Sequence, residues 1–286
     1  MNREIADDAR TACRWEVMAR KVGNVHPTRG FDGLDHAAFL RSADAFAETL
    51  TASDGVGVGE TILSAVRKRI TVTPSNTNLG IILLLVPLAT CKSRSEFRER
   101  LAALSVDDAK LAYEAIRIAS AGGMGDVSSQ SVANEPTVTL IDAMRLAAER
   151  DMIAKQYATA FADIFEFGVP NLMRAYEEFG CVEAAIIKCQ MQWLAAFPDT
   201  LIARKCGLPI AVEMQDRARD VLAAGGLSSA AGRASGVRFD AHLRSDGHRL
   251  NPGTTADLVT ACLFVALRER KLKPSDPFPW SAPDWL

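Results

Sequence analysis

Residues 35–53 read DHAAFLRSADAFAETLTAS, and within them Phe39, Ala43, Phe46 and Leu50 recur every three or four positions. That spacing lines one face of an α-helix, whereas a half-buried strand would alternate at every second residue. The same period extends in both directions. Residues 6–20 form an Ala- and Arg-rich helical segment that ends before KVGNVHPTRGFDG (21–33), where Gly and Pro punctuate the chain. Gly55, Gly57 and Gly59 make a break, and Glu60 opens a helix with Ile62, Leu63, Val66 and Ile70 on one side. A polar turn at 74–78 precedes the apolar run 80–90, in which Pro87 is expected to kink or split the helix.

Ser105 and Asp108 have the spacing of a capping pair ahead of a helix over 109–119. The stretch 121–136, AGGMGDVSSQSVANEP, is rich in Gly, Ser and Asn and reads as a long mobile loop. Beyond it, Ile153, Tyr157, Phe161, Ile164 and Phe165 mark one face of a single long helix, and further helices are expected over 182–197, 210–224 and 254–270. Strand signals are nearly absent, and no repeat or composition shift separates two domains. The expected fold is therefore all-α, one multi-helix domain over 1–286, with functional residues on helix termini and interhelical loops. The Pro- and Trp-rich tail 273–286 is expected to pack extended on that body.

Hydrophobic residues make up 48% of the 286, enough for a substantial core, and a net charge of −2 argues against a nucleic-acid or membrane-surface binder. Six scattered cysteines, with no CxxC pair and no Cys/His metal spacing, suit free thiols in a reducing compartment. The opening MNREIADDAR has no apolar run, and the longest one, 81–89, is too short to span a bilayer. A cytoplasmic protein is expected.

Four polar segments interrupt the amphipathic pattern more than packing requires. The first joins Glu16, at the end of a helix, to RKVGNVHP (20–27) and then to Asp32, Asp35 and His36. Carboxylates this close in sequence suit Mg²⁺, which takes one or two of them together with phosphate oxygens and water, and Lys21 is a phosphate candidate. Equally, Asp35 can sit near a helix N-terminus simply because the macrodipole favours an anion there. The second segment is PSNTNLG (74–80), which either aims backbone N–H groups and amides at an anion or caps a helix without any ligand. Glu60, ahead of it, is most simply a first-turn acid.

The third segment is PDTLIARKCG (198–207). Asp199 is placed to cap a short helix ending at Gly207, with Arg204 and Lys205 in its last turn, as a helix dipole prefers. The functional alternative makes Asp199 a metal ligand or acid/base and gives the two cations to phosphates. Asn caps about as well as Asp, so Asp199→Asn is expected to keep stability and lose activity. The fourth segment is GHRLNPGTTADL (247–258), where Thr254 and Asp257 have capping-box-like spacing and an NPG turn leads into a helix. His248 and Asp257 are its candidates. No Walker A loop, Rossmann fingerprint, HExxH helix or GxSxG elbow is present.

Taken in order, the segments resemble the triphosphoribosyl-dephospho-CoA synthase family. Glu16, Gly23 and Val25 match a Glu followed by P-K-P-G-L-V-D, and FDGLDHAAF is similar to an acidic stretch ending in Phe. Asn76, Thr77 and Gly80 match N-T-H-K-G, with Glu60 matching an upstream Glu. Asp199, Thr200 and Gly207 match D-T-N-x-x-x-R-G-G, and Pro252, Gly253, Ala256, Asp257 and Leu258 match S-P-G-G-S-A-D-L-L. The chain departs at Arg20 and Val22 (both Pro in the motif), His26 (Asp), Leu79 (Lys), Leu201 (Asn) and Cys206 (Gly). It reads as a divergent branch.

The resemblance implies an enzyme in which the hydroxyl of an alcohol acceptor, dephospho-CoA, attacks ribose C1 of ATP and displaces adenine, leaving the triphosphate on the transferred sugar. An oxocarbenium-like state at that carbon needs a carboxylate, proton transfer needs a base and an acid, and the triphosphate needs Mg²⁺ and cations. The sequence supplies Asp35, Glu60, Asp199 and Asp257 as catalytic carboxylates and Glu16, Asp35 and Asp199 as metal ligands. For the nucleotide and its phosphates it supplies Lys21, Asn24, Asn76, Thr77, Asn78, Arg204 and Lys205. Three alternatives stay open: the same chemistry on a ribitol- or ribose-bearing precursor of methanopterin type, an ADP-ribosyl or N-glycosidic hydrolase, and a non-catalytic nucleotide-binding protein. A homodimer is also left open.

Overall fold

The computed structural model describes residues 3–33, 35–53, 55–73, 77–91, 94–119 and 134–280. Among the described residues there are fourteen α-helices and no β-strand, as the periodicity predicts. Most of the stretch expected to be a loop at 121–136 falls outside the described residues, as do Asn76 and the tail beyond 280. The contacts gather into two units that the chain enters alternately: Met1–Cys13 with Ala37–Ile164, and Arg14–His36 with Phe165–Leu286. Among the described residues no helix is long and apolar enough to cross a membrane.

In the first unit, the opening turns of α1 (Arg3–Met18) are joined by α2 (His36–Ala52), α3 (Val58–Val72), α4 (Leu79–Ala89), α5 (Arg94–Ala102), α6 (Val106–Ile118), α7 (Leu140–Ala147) and α8 (Met152–Ala158). α3 packs on α4 and α6, and α8 on α4 and α7. Phe46, Leu50, Ile62, Leu84 and Leu85 are fully buried at its centre. The Ser105–Asp108 capping box forms as expected: Ser105 Oγ accepts from Asp108 N at 3.1 Å, and Asp108 Oδ2 accepts from Ser105 N at 2.9 Å.

Two details of the first unit have identifiable causes. Pro87 does not split α4, which continues to Ala89. Proline has no N–H for the Leu83 carbonyl four residues back, and the Tyr157 hydroxyl donates to that carbonyl instead, at 2.5 Å. The single long helix expected through Ile153–Phe165 is broken after Ala158. Ala160 and Phe161 adopt left-handed φ values of 51° and 59°, and a π-helical turn, Asp163–Gly168, follows. Left-handed backbone costs an L-residue about 1–2 kcal/mol. Offsetting that cost, the Phe161 ring is fully buried, 4.9 Å from Phe97 and 5.4 Å from Tyr157.

The second unit holds α9 (Val169–Phe179), α10 (Val182–Ala196), α11 (Thr200–Cys206), α12 (Leu208–Ala223), α13 (Ala230–Leu243) and α14 (Gly253–Arg268), together with the segment 19–33. α10 packs on α9, α12 and α14, and α11 on α12 and α14. Ile187, Met191, Leu194, Ile202, Met214 and Phe239 anchor its core. In the described part of the tail, the Phe278 ring meets Trp15 edge-on at 6.5 Å, and the Arg20 guanidinium stands 5.8 Å from the Trp280 ring.

Candidate functional site

Gly23 explains how segment 19–33 reaches the helices around it. Its φ is +67°, and a Cβ there would lie 2.6 Å from Leu243 Cδ1 and 3.0 Å from Pro252 Cδ. With no side chain, the backbone presses against α13 and the NPG turn, and Gly23 N donates to Asp240 Oδ1 at 2.7 Å. Asn24 then ties several elements together. Its Nδ2 donates to Asn251 Oδ1 at 2.6 Å, its Oδ1 accepts from Gln190 Nε2 at 2.7 Å, and its backbone carbonyl accepts from Arg244 at 2.6 Å.

Asp199 joins the third segment to the fourth. Oδ1 accepts from Leu201 N at 2.9 Å and Ile202 N at 3.1 Å, capping α11, while Oδ2 accepts from both the N–H and the hydroxyl of Thr255 at 2.8 Å. Burial pushes the Asp199 pKa up, and these four donors oppose the shift by favouring the carboxylate. Gly253 permits the contact between the two helices, since a Cβ there would lie 2.6 Å from Leu201 Cδ2. Thr254 and Asp257 do not form the expected capping box. α14 starts one residue earlier, with Pro252 at its N-cap and no side-chain cap, and Thr254 instead accepts from the Thr200 hydroxyl at 3.2 Å. Three of the four polar segments thus meet within the second unit.

Cations crowd the same loop. Lys21 is fully buried, its ammonium 3.0 Å from Glu16 Oε1 and bonded to the carbonyls of Glu16 and Ala19. Three donors meet three acceptors, so in this conformation Lys21 and Glu16 are committed to the protein interior. Burial pushes Glu16 up and Lys21 down in pKa, and their mutual attraction opposes both shifts. Arg20 grips Glu183 with two nitrogens, at 2.7 and 3.1 Å. Asp240 is shared by Arg29 at 2.7 Å and Arg244 at 2.8 Å. His26 sits among these cations with 1% exposure, and burial, reinforced by Arg244, Lys21, Arg29 and Arg20, pushes its pKa down to about 3.

The other expected site residues are placed as follows. Arg204 is exposed at the end of α11, and Lys205 donates to the His248 carbonyl at 3.1 Å, its pKa lowered by burial. Asp35 is exposed ahead of α2, and Asp257 is half-buried in the second turn of α14. In the first unit, Glu60 is an exposed first-turn acid of α3, and the Thr77 hydroxyl meets that of Ser42 at 2.5 Å. Asn78 caps α4 by position only. It is 1% exposed, makes no side-chain cap bond, and both atoms of its amide lack a partner.

Among the described residues no three His, Cys, Asp or Glu side chains gather as a metal site would require. Glu16 and Asp199 both accept from protein donors. The residues that sequence reading missed are Glu183 and Gln190 on α10, Asp240 on α13 and Arg244 at its C-cap, where the signal was a pair of charges four apart, Asp240 and Arg244.

Fold and centre together define an all-helical protein whose second unit holds a buried, charge-rich polar centre. More particularly, the chain belongs to the CitG family of ATP:dephospho-CoA triphosphoribosyl transferases, whose profile matches residues 2–276. It is 32% identical over 105 residues to the 2-(5''-triphosphoribosyl)-3'-dephosphocoenzyme-A synthase of Klebsiella pneumoniae, covering 37% of each chain. A probable enzyme of that name from Pseudomonas aeruginosa is 36% identical over 98 residues, 34% of this chain and 33% of the relative. These alignments span little more than a third of the curated relatives' length. A crystal structure from Archaeoglobus fulgidus, assigned to triphosphoribosyl-dephospho-CoA synthase, superposes with a TM-score of 0.61 at 25% identity, over 82% of this chain and 98% of that one.

Proposed function

We propose that the protein transfers the triphosphoribosyl group of ATP to a hydroxyl of dephospho-CoA, in a magnesium-dependent reaction that releases adenine. What supports this reading most is the joining of three family-like segments, far apart in sequence, through Asn24 with Asn251 and Asp199 with Thr255. As the acceptor oxygen bonds to ribose C1, the bond from C1 to adenine breaks. The acceptor proton passes to a base, and adenine leaves protonated.

Positive charge builds at C1 in that step, and a carboxylate stabilises it. In this reading Asp35 and Asp257, which lie in the same unit as the joined segments, supply the carboxylates. Arg204 and Lys205 hold phosphate oxygens, and Asp199 positions them by capping the helix that carries both. Magnesium would neutralise charge on the triphosphate, and Asp35 would be its protein ligand.

The test is adenine release from ATP with and without dephospho-CoA, followed by the mass of the product. Acceptor-dependent release with a product heavier by the triphosphoribosyl group supports the transfer. Acceptor-independent release would make the protein a hydrolase, and no release would make it a nucleotide-binding protein.

A further inference from the structure

Among the described residues, Arg20 pairs with Glu183 and Lys21 with Glu16, while Arg29 and Arg244 divide the single carboxylate of Asp240. At Asp240 two guanidinium groups therefore meet one buried carboxylate. Arg244 places Nε on Asp240 and one terminal nitrogen on the Asn24 carbonyl, but its other terminal nitrogen, NH1, is buried without a partner. His26 repeats the pattern: its Nδ1 lies 3.0 Å from the Thr28 hydroxyl, while Nε2 is buried without a partner. Buried donors left unsatisfied are rare in folded proteins and call for a missing acceptor.

We infer that Arg244, His26 and Arg29 form a subsite for a phosphoryl oxyanion. Such a group brings negative charge to two guanidinium groups that share one carboxylate and accepts from several N–H donors at once. In the tautomer whose Nδ1 accepts from the Thr28 hydroxyl, His26 carries its proton on Nε2 and adds a neutral donor beside the guanidinium groups. Arg29 provides the way in. It is 47% exposed and flanked by exposed Thr28 and Gly30, so part of its guanidinium side chain is open to solvent. The Phe31 ring, 5.2 Å from the Arg244 guanidinium, keeps that side chain in its plane. None of these three residues belongs to the phosphate set expected from the sequence motifs.

This subsite rests on the proposed reaction for the identity of its ligand, with two sources for the same chemistry: the triphosphate of ATP or the diphosphate of the acceptor. The experiment titrates inorganic triphosphate and pyrophosphate into the full chain by calorimetry, and into Arg29→Gln, His26→Gln and Arg244→Lys, with circular dichroism to verify folding. Binding that weakens about tenfold or more in folded variants supports the subsite. In the transferase assay, a KM increase confined to ATP assigns the triphosphate, and one confined to dephospho-CoA assigns the acceptor. Absence of triphosphate and pyrophosphate binding to the wild-type chain would overturn the proposal, leaving buried water as the partner of both donors. So would unchanged binding in Arg29→Gln and His26→Gln. Either result leaves acceptor-dependent adenine release standing, whereas wild-type anion binding that the variants weaken, in a protein that releases no adenine, would keep the subsite and sink the reaction.

Discussion

Asp199 divides its carboxylate between two helices, one oxygen capping α11 and the other holding Thr255 at the start of α14 by two bonds of 2.8 Å. That division changes what Asp199→Asn should do. As a cap alone, Asn would be nearly neutral. Here its amide oxygen can serve only one helix, and its NH₂ must then face donors. The expected result is a loss of about 1–3 kcal/mol in urea unfolding, the cost of leaving buried donors unsatisfied. A variant as stable as the parent but inactive would instead make Asp199 part of the chemistry.

Tyr157→Phe is expected to cost about 1–3 kcal/mol, because it returns the Leu83 carbonyl to the unpaired state that Pro87 creates. Equilibrium unfolding measures it. A loss below about 0.5 kcal/mol, the low end for a net hydrogen bond, would mean that the carbonyl finds another partner.

The same pair shows what the sequence could and could not disclose. Helix positions repeat the core-facing period, so α2 and α10 lie within two residues of their expected ends. The break at Ala160 and Phe161 is invisible to that period, since Phe161 continues the apolar stripe whether the helix runs on or not. α13 escaped notice because Ala230, Gly232, Ala234 and Gly236 carry almost no hydrophobic pattern, although this helix brings Asp240 and Arg244 to the centre. Asp240 is more than two hundred positions from Gly23 and Arg29, so no local spacing could have paired them. Asn24 and Asp199 were legible because they lie in family-like motifs. That Lys21 turns inward to Glu16 depends on burial, which no motif encodes.

The pKa of His26, lowered to about 3, predicts a pH dependence. An unfolded histidine titrates near 6.5, so between the two values the unfolded chain binds a proton that the folded chain refuses. Stability is therefore full above about pH 6.5 and declines as pH falls toward 3. Between pH 7 and 5, where ordinary carboxylates barely titrate, the loss should be about 1–2 kcal/mol in the parent protein. Urea unfolding of His26→Gln should be flatter over that interval by the same amount. Parallel profiles for parent and variant would show that the imidazole is solvated and titrates normally.

Asn78 allows a ligand role to be separated from a structural one. Its amide is buried at the start of α4, with neither oxygen nor nitrogen partnered. Such a group destabilises the ligand-free fold, and an apolar side chain of similar shape removes the penalty. Asn78→Leu should accordingly raise unfolding stability by about 1 kcal/mol in the absence of nucleotide. If the amide is kept for the nucleotide, the same variant should lose affinity for ATP, because the group that would complete the bond is gone. Stability and binding then move in opposite directions, as they do where a fold retains a strained or unsatisfied group for use. Paired thermal unfolding and ATP calorimetry provide both readings. A variant that is less stable than the parent, or one that is more stable but binds ATP equally well, would exclude Asn78 from the nucleotide site.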